Sequence, residues 1–141
     1  MLFWEKEKAL SSLYEKCTKP IRDEYSLTQM EFDIIMFLFN NPEYDRAKDI
    51  VELRHLTKSH VSSALKDLIK RNLIEATYHV GNKKDIHLKL SAMTKEICKK
   101  GTAIQKKYAE MLFEGFTEED LKIYQDLFLR VCHNASKGLK D

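Results

Sequence analysis

Residues 57–90 constrain the fold more than any other part of the chain. In TKSHVSSALKDLIKRN, Val61, Ala64, Leu65, Leu68 and Ile69 fall at the i, i+3, i+4, i+7, i+8 spacing of a packed helical stripe. Thr57 is suited to the N-cap, and Asn72 to a left-handed C-cap. The segment then runs straight into LIEATYHV and DIHLKL. Ile74, Ala76, Tyr78 and Val80 alternate on the first, and Ile86, Leu88 and Leu90 on the second, the period-2 pattern of a ribbon with one covered face. A polar GNKK stretch joins them, with Gly81 and Asn82 supplying the turn. A helix with a short polar start, followed by a basic hairpin, is the layout of a winged helix-turn-helix.

Burying that stripe leaves Lys58, Ser59, His60, Ser62, Ser63, Lys66 and Lys70 towards solvent. Apart from the lysines these are short side chains, which let a helix backbone approach base edges in a major groove. Lys83 and Lys84 project from the hairpin tip, within reach of a phosphate or an adjacent minor groove. The whole chain carries only +2, yet residues 57–90 hold seven basic and three acidic side chains, a local +4 that leaves −2 elsewhere. Affinity for duplex DNA comes largely from neutralised phosphates, so a local patch outweighs total charge. Lysines also decorate exposed hairpins simply to block edge pairing. The patch is informative because it coincides with the helix and ribbon. The expected DNA contacts are Lys58, Ser59, His60, Ser62, Ser63, Lys66, Lys83 and Lys84.

The remaining pattern is helical. A first helix is expected over about Leu2 to Lys19, with Pro20 interrupting it. Thr28 with Glu31 three residues on reads as a capping box opening a strongly apolar second helix, stopped by Asn40, Asn41 and Pro42. A third, from about Ala47 to Arg54, places Ile50, Val51 and Leu53 inward. Two long helices follow the hairpin: one from about Ser91 to Phe113, with Met93, Ile97, Cys98 and Ile104 among its apolar positions, and one opening at Thr117, boxed with Asp120, to about Ser136. The apolar residues of this last helix nearly encircle it and need cover on more than one side. An isologous dimer built from both chain ends supplies that cover economically; a purely intramolecular core is the alternative. The fold class is mainly α with a small two-stranded wing, in one domain: about residues 28–90 form the winged-helix region, and about 1–20 and 91–141 the dimerisation helices.

Other functions find little footing. At 43% hydrophobic and 33% charged, 141 residues suit one soluble core. No apolar run approaches the roughly 20 residues that span a bilayer, and MLFWEKEKAL lacks the marks of a signal peptide, so a cytoplasmic location is expected. Cys17, Cys98 and Cys132 are odd in number and far apart, and the five histidines show no ligand spacing, so neither a disulfide framework nor a metal site is expected. His60 beside Ser59, Ser62 and Ser63 has neither an acidic orienter nor a nucleophile elbow, and no phosphate loop or carboxylate pair is recognisable. The chain is not expected to be an enzyme, and no cofactor is implied. Tyr14, Tyr25, Phe32, Phe37 and Tyr108 are candidates to line an effector cavity, although aromatics at helical spacing more often form plain core.

The order helix, helix, helix, exposed helix, wing, long helix, long helix resembles the MarR family of bacterial transcriptional regulators over nearly the whole chain. The most specific stretch is AKDIVELRHLTKSHVSSALKDLIKRNLIEATYHVGNKKDIHLKLSAMTKEI. The resemblance implies a homodimer on a pseudo-palindromic operator, more often a repressor, that a small-molecule effector can release. Two departures stand out. The family's wing tip reads Asp-x-Arg, whereas Asn82, Lys83 and Lys84 occupy those positions, removing the pair that braces the wing and the planar fork of arginine. In the peroxide-sensing branch the reactive cysteine lies near the start of the first helix, at about Phe3 to Glu5 here. Cys17 is a few turns later and reads better as a buried thiol. A winged-helix protein-interaction module and a thiol-based redox regulator are the alternative functions.

Overall fold

The computed structural model describes residues 3–54, 56–79 and 81–140. The side chains of Phe3, His79, Asn82, Lys83 and Lys84, like residues 1, 2, 55, 80 and 141, lie outside that description. The elements are α1 (Phe3–Glu24), α2 (Gln29–Asn40), α3 (Ala47–Arg54), α4 (Lys58–Lys70), β1 (Ile74–His79), β2 (Asn82–Leu90), a 3₁₀ turn (Ala92–Thr94), α5 (Lys95–Leu112) and α6 (Glu118–Leu139). Among the described residues, no helix is long and apolar enough to cross a membrane. The chain falls into two compact units, residues 1–106 and 107–141.

The first unit is built around α2, whose Phe32, Ile34, Ile35 and Met36 are at most 2% exposed. Packed with them are Ile50 of α3, Val61, Leu65 and Leu68 of α4, Ile74 and Leu88 of the hairpin, and Ile97 and Cys98 of α5. The capping box at the start of α2 forms as its sequence predicts: Glu31 N donates to Thr28 Oγ1 (3.1 Å) and Thr28 N donates to Glu31 Oε1 (2.9 Å). Asn72 takes the left-handed turn after α4, with φ of 59°. Its neighbour Arg71 ties that end to the turn after α1, donating to the carbonyls of Tyr25 (2.5 Å) and Ser26 (2.9 Å).

Pro20 does not interrupt α1, which continues to Glu24. Proline removes the donor that would reach the Lys16 carbonyl, but Lys16 faces solvent. The adjacent Glu15 carbonyl accepts instead from Arg22 Nη2 (2.9 Å) and Thr18 Oγ1 (3.2 Å). Burial of Ile21 at 2% exposure favours carrying the last turn onto the core.

The hairpin is antiparallel, pairing Ile74 with Leu90 through Tyr78 with Ile86, and then His79 with Asn82. That jump makes β2 begin at Asn82, earlier than the expected Asp85, so Lys83 and Lys84 belong to a bulged strand backbone rather than to the turn. Gly81, at φ of +87°, takes the turn conformation that favours glycine. The covered face fades along β1: Ile74 is 1% exposed, Ala76 half-buried and Tyr78 55% exposed, so Tyr78 is not the inward residue its alternation suggests. Leu53 and Met93, also expected inward, are 49% and 62% exposed. Leu53 lies in the last turn of α3 and Met93 in the 3₁₀ turn before α5.

In the second unit α6 opens on the expected box, with Asp120 N donating to Thr117 Oγ1 and Thr117 N to Asp120 Oδ2, both at 3.0 Å. Phe113 meets the edges of Phe116 and Tyr124 at 5.4 Å, and Tyr124 stacks on Phe128 at 5.9 Å. No residue of α6 is buried.

Candidate nucleic-acid interface

The α4 stripe sorts the residues around it. Val61, Leu65 and Leu68 are buried, and Lys58, Ser59, His60, Ser62, Ser63 and Lys66 all emerge on the exposed side, as their spacing predicts. Thr57 holds the N-cap position in extended conformation, but its side chain makes no capping bond. It therefore does not consume the first-turn amide donors that the sequence assigned to it, and these stay available to an anion at the helix start.

The exposed face has two flanks of different character. Towards α3 and the wing, Lys58, Ser62 and Lys66 border a groove of about 460 Å³ with Lys48, Tyr78 and Ile86. Towards α2, His60 and Ser63 border a cleft of about 360 Å³ with Thr28, Met30, Glu31 and Asp67. Ser59 sits on the first turn, exposed with its neighbours. The basic flank suits phosphate, and the Ser/His flank presents short hydrogen-bonding groups. Lys48 and the exposed Tyr78 join the basic flank without having been singled out from sequence. Their signal was weak, one lysine on a short helix and one aromatic in an alternating strand.

The strand backbone places Lys83 and Lys84 at the start of β2, while their side chains lie outside the described residues. The wing has a brace at its base, away from the tip positions Asn82 to Lys84 where the Asp-to-Arg pair is missing. Arg46, before α3, reaches Asp85 of β2 at 4.0 Å and Asp49 of α3 at 3.1 Å. Asp45 meets His87 Nδ1 at 3.1 Å, and its carbonyl accepts from Leu88 N at 2.7 Å. Burial pulls the Asp49 carboxyl upward, but hydrogen bonds from the Arg46 side chain and backbone outweigh it and hold Asp49 below the usual carboxylate range.

Of the candidate effector residues, Phe32 is fully buried, and Tyr14, Tyr25 and Phe37 are half-buried against the same core. Tyr14 Oη accepts from Gln105 Nε2 at 3.0 Å, and Tyr25 Oη from Lys100 Nζ at 3.2 Å. Tyr108 belongs to the second unit and is half-buried. The cysteines are free: Cys17 half-buried, Cys98 buried and Cys132 exposed. Burial pushes the Cys98 thiol up. No cluster of three or more His, Cys, Asp or Glu able to hold a metal occurs among the described residues.

Residues 25–84 match the MarR family. The fold matches a Listeria monocytogenes protein assigned to the MarR family of transcriptional regulators and complexed with a 26mer DNA, at a TM-score of 0.84 and 17% identity over 98% of this chain and 91% of that one. A MarR protein from Peptoclostridium difficile gives 0.83 at 16% identity, covering 98% and 90%. An S. aureus MepR–DNA complex gives 0.80 at 13%, covering 95% and 98%. No curated protein matches the sequence. The resemblance read from the sequence is thus borne out over residues 25–84 and in the fold.

Proposed function

With a MarR-family segment at residues 25–84 and that family's fold around it, we propose that this chain is a homodimeric DNA-binding transcriptional regulator, acting as a repressor on a pseudo-palindromic operator. The observation that carries the reading is the α4 face, where Lys58, Ser59, His60, Ser62, Ser63 and Lys66 stand exposed over a buried Val61, Leu65, Leu68 stripe. Lys58, Lys66, Lys83 and Lys84 supply phosphate contacts, and His60 and Ser63 read base edges. The structures of two neighbours, complexed with DNA, support the same use of the fold.

Dimerisation is supported by the apolar surface of the chain ends. Ile123, Leu127, Phe128, Leu129 and Val131 of α6 are 50–65% exposed, and Trp4 of α1 is 78% exposed. Such patches mark association surfaces. A small-molecule effector that releases DNA, held near Tyr14, Tyr25, Phe32 and Phe37 of the first unit, completes the proposal.

Selection from random duplex DNA at moderate salt tests the reading. It predicts enrichment of a palindrome with half-sites roughly 34 Å apart. Lys83→Ala and Lys84→Ala weaken all sequences alike, whereas His60→Ala or Ser63→Ala changes the preferred sequence. No enrichment by a folded dimer, even at low salt, would sink the DNA reading and favour an acidic protein partner.

A further inference from the structure

The cleft between the start of α2 and the flank of α4 contains a buried carboxyl that DNA reading does not use. Glu31 is 4% exposed. Its Oε1 is occupied by the capping box, accepting from Thr28 N at 2.9 Å. Its Oε2 is buried, and no hydrogen-bond donor among the described residues serves it. The Arg71 guanidinium lies 3.9 Å away and 3.8 Å from Asp67 Oδ2, but its short hydrogen bonds go to the carbonyls of Tyr25 and Ser26. The carboxylate of Asp67, half-exposed on α4, lines the same cleft and lies beside the same Arg71 Nη1, which makes it the group that faces Glu31 from α4. Two carboxylates are acceptors only and cannot satisfy one another, whereas a carboxylic acid donates to a carboxylate in a short, charge-assisted bond.

We propose that Glu31 is a protonation-dependent latch between α2 and α4: with its proton it donates from Oε2 to Asp67, and without it two carboxylates face each other and the seat of α4 on α2 loosens. Burial pushes the Glu31 carboxyl above the usual carboxylate range, and Asp67 adds to this, against an opposing pull from the Thr28 bonds. A carboxyl raised on folding stabilises the fold in its protonated form. That contribution is full at acid pH, below the value of an unfolded glutamate, and is lost as pH rises through the higher folded value.

The charges on the other packed elements are otherwise engaged. From α1, Arg22 and Glu15 act on Asp33. From β2, Asp85 and His87 are held by Arg46 and Asp45. From α5, Lys100 pairs with Glu24. On α4 itself, His60 lines the cleft together with Asp67. Because His60 and Ser63 border this cleft, opening the latch shifts the residues assigned to base reading. That consequence rests on the reading proposed above, whereas the latch itself does not.

The test is a ¹³C carboxyl NMR titration of the full chain and of Asp67→Asn, whose side-chain amide donates to Glu31 at any pH. In the wild type the Glu31 resonance titrates above the ordinary value of about 4.3, and in Asp67→Asn its midpoint falls. An ordinary midpoint in the wild type, or one that Asp67→Asn leaves in place, overturns the latch. Glu31→Gln, a fixed donor, serves as a second variant and should flatten the pH dependence of melting relative to wild type; an unchanged dependence also counts against the proposal. Affinity for a selected duplex is then compared between wild type and Asp67→Asn at about pH 5 and about pH 8. Gating predicts a ratio that widens severalfold at the higher pH. A constant ratio means that Asp67 acts only as a surface charge and overturns the gating. Absence of DNA binding at both values refutes the function reading, while the titration still decides the latch.

Discussion

Replacing Gly101 by alanine should destabilise the protein, although at an ordinary helix-interior position the same change stabilises by about 0.8–1 kcal/mol. Gly101 lies within α5 and is buried against α2. A Cβ built there would stand 2.5 Å from Met36 Sδ, 3.1 Å from Met36 Cε and 3.3 Å from Phe32 Cε2. Nonbonded carbons prefer roughly 3.5–4.0 Å, so the thioether must retreat by about 1 Å. Met36 is 2% exposed and Phe32 0%, which leaves the sulfur little space to enter. Overpacking of this kind costs about 1–3 kcal/mol. Taking a cost of about 2 against a propensity gain of about 1 gives a net loss near 1 kcal/mol, or about 4 °C in melting temperature. Thermal melts followed by circular dichroism at one fixed protein concentration measure it. Gly138→Ala in α6, where an added Cβ meets nothing within 4 Å, is the control and should show no loss. Met36→Ala should cost less in the Gly101→Ala background than in wild type, because the vacated space accepts the methyl group. A Gly101→Ala protein that melts higher than wild type would refute the close approach of α5 to α2.

Three further outcomes follow from the same contacts. Thr28→Ala removes the Oγ1 that caps Glu31 N and should cost about 1 kcal/mol, with faster amide exchange confined to the first turn of α2. Arg71→Met loses the bonds to the Tyr25 and Ser26 carbonyls, a loss of about 2 kcal/mol in urea unfolding, and Arg71→Lys should not restore it because lysine lacks the planar fork. Asp49 is held below the usual carboxylate range against the pull of burial, so its contribution is present above the unfolded value and disappears as pH falls through the folded one. Melts of wild type and Arg46→Met should therefore diverge at neutral pH and converge towards about pH 2.

What the sequence made legible is what local chemistry decides. Both capping boxes, Thr28 with Glu31 and Thr117 with Asp120, depend on residues three apart and appear as read. The left-handed Asn72 and the Val61, Leu65, Leu68 stripe are of the same kind, and with them came most of the candidate DNA-reading face. Pro20 misled because a local breaker was outweighed by the burial of Ile21. Tyr78 misled because alternation says which residues share a face, not how far along the strand that face remains covered. The bulge after Tyr78 moved the start of β2 by three residues without leaving a mark in hydrophobicity. The brace from Arg46 to Asp85 and the meeting of Glu31 with Asp67 join residues 36 or more positions apart, and no spacing rule reaches so far.

The three carboxyls that secure the helix-turn-helix oppose one another in acid. Glu31 on α2 faces α4, and Asp33 on α2 faces Arg54 of α3 at 3.7 Å. Both are raised chiefly by burial; for Asp33, a hydrogen bond from Gln29 and the charge of Arg54 offset part of that rise. Raised groups strengthen the fold when they take up protons, because a buried carboxyl costs less neutral than charged; for Asp33 that gain outweighs the loss of its charge pairing with Arg54. Asp49 responds in the opposite sense, since protonation removes the acceptor that holds Arg46, and Arg46 also reaches the wing through Asp85. Lowering the pH therefore relieves the buried carboxyls of α2 while releasing the hairpin beside them. Raising it restores the wing brace at the cost of charging the buried carboxyls of α2. Helices and wing are then best held together only in an intermediate range, above the folded value of Asp49 and below those of Glu31 and Asp33.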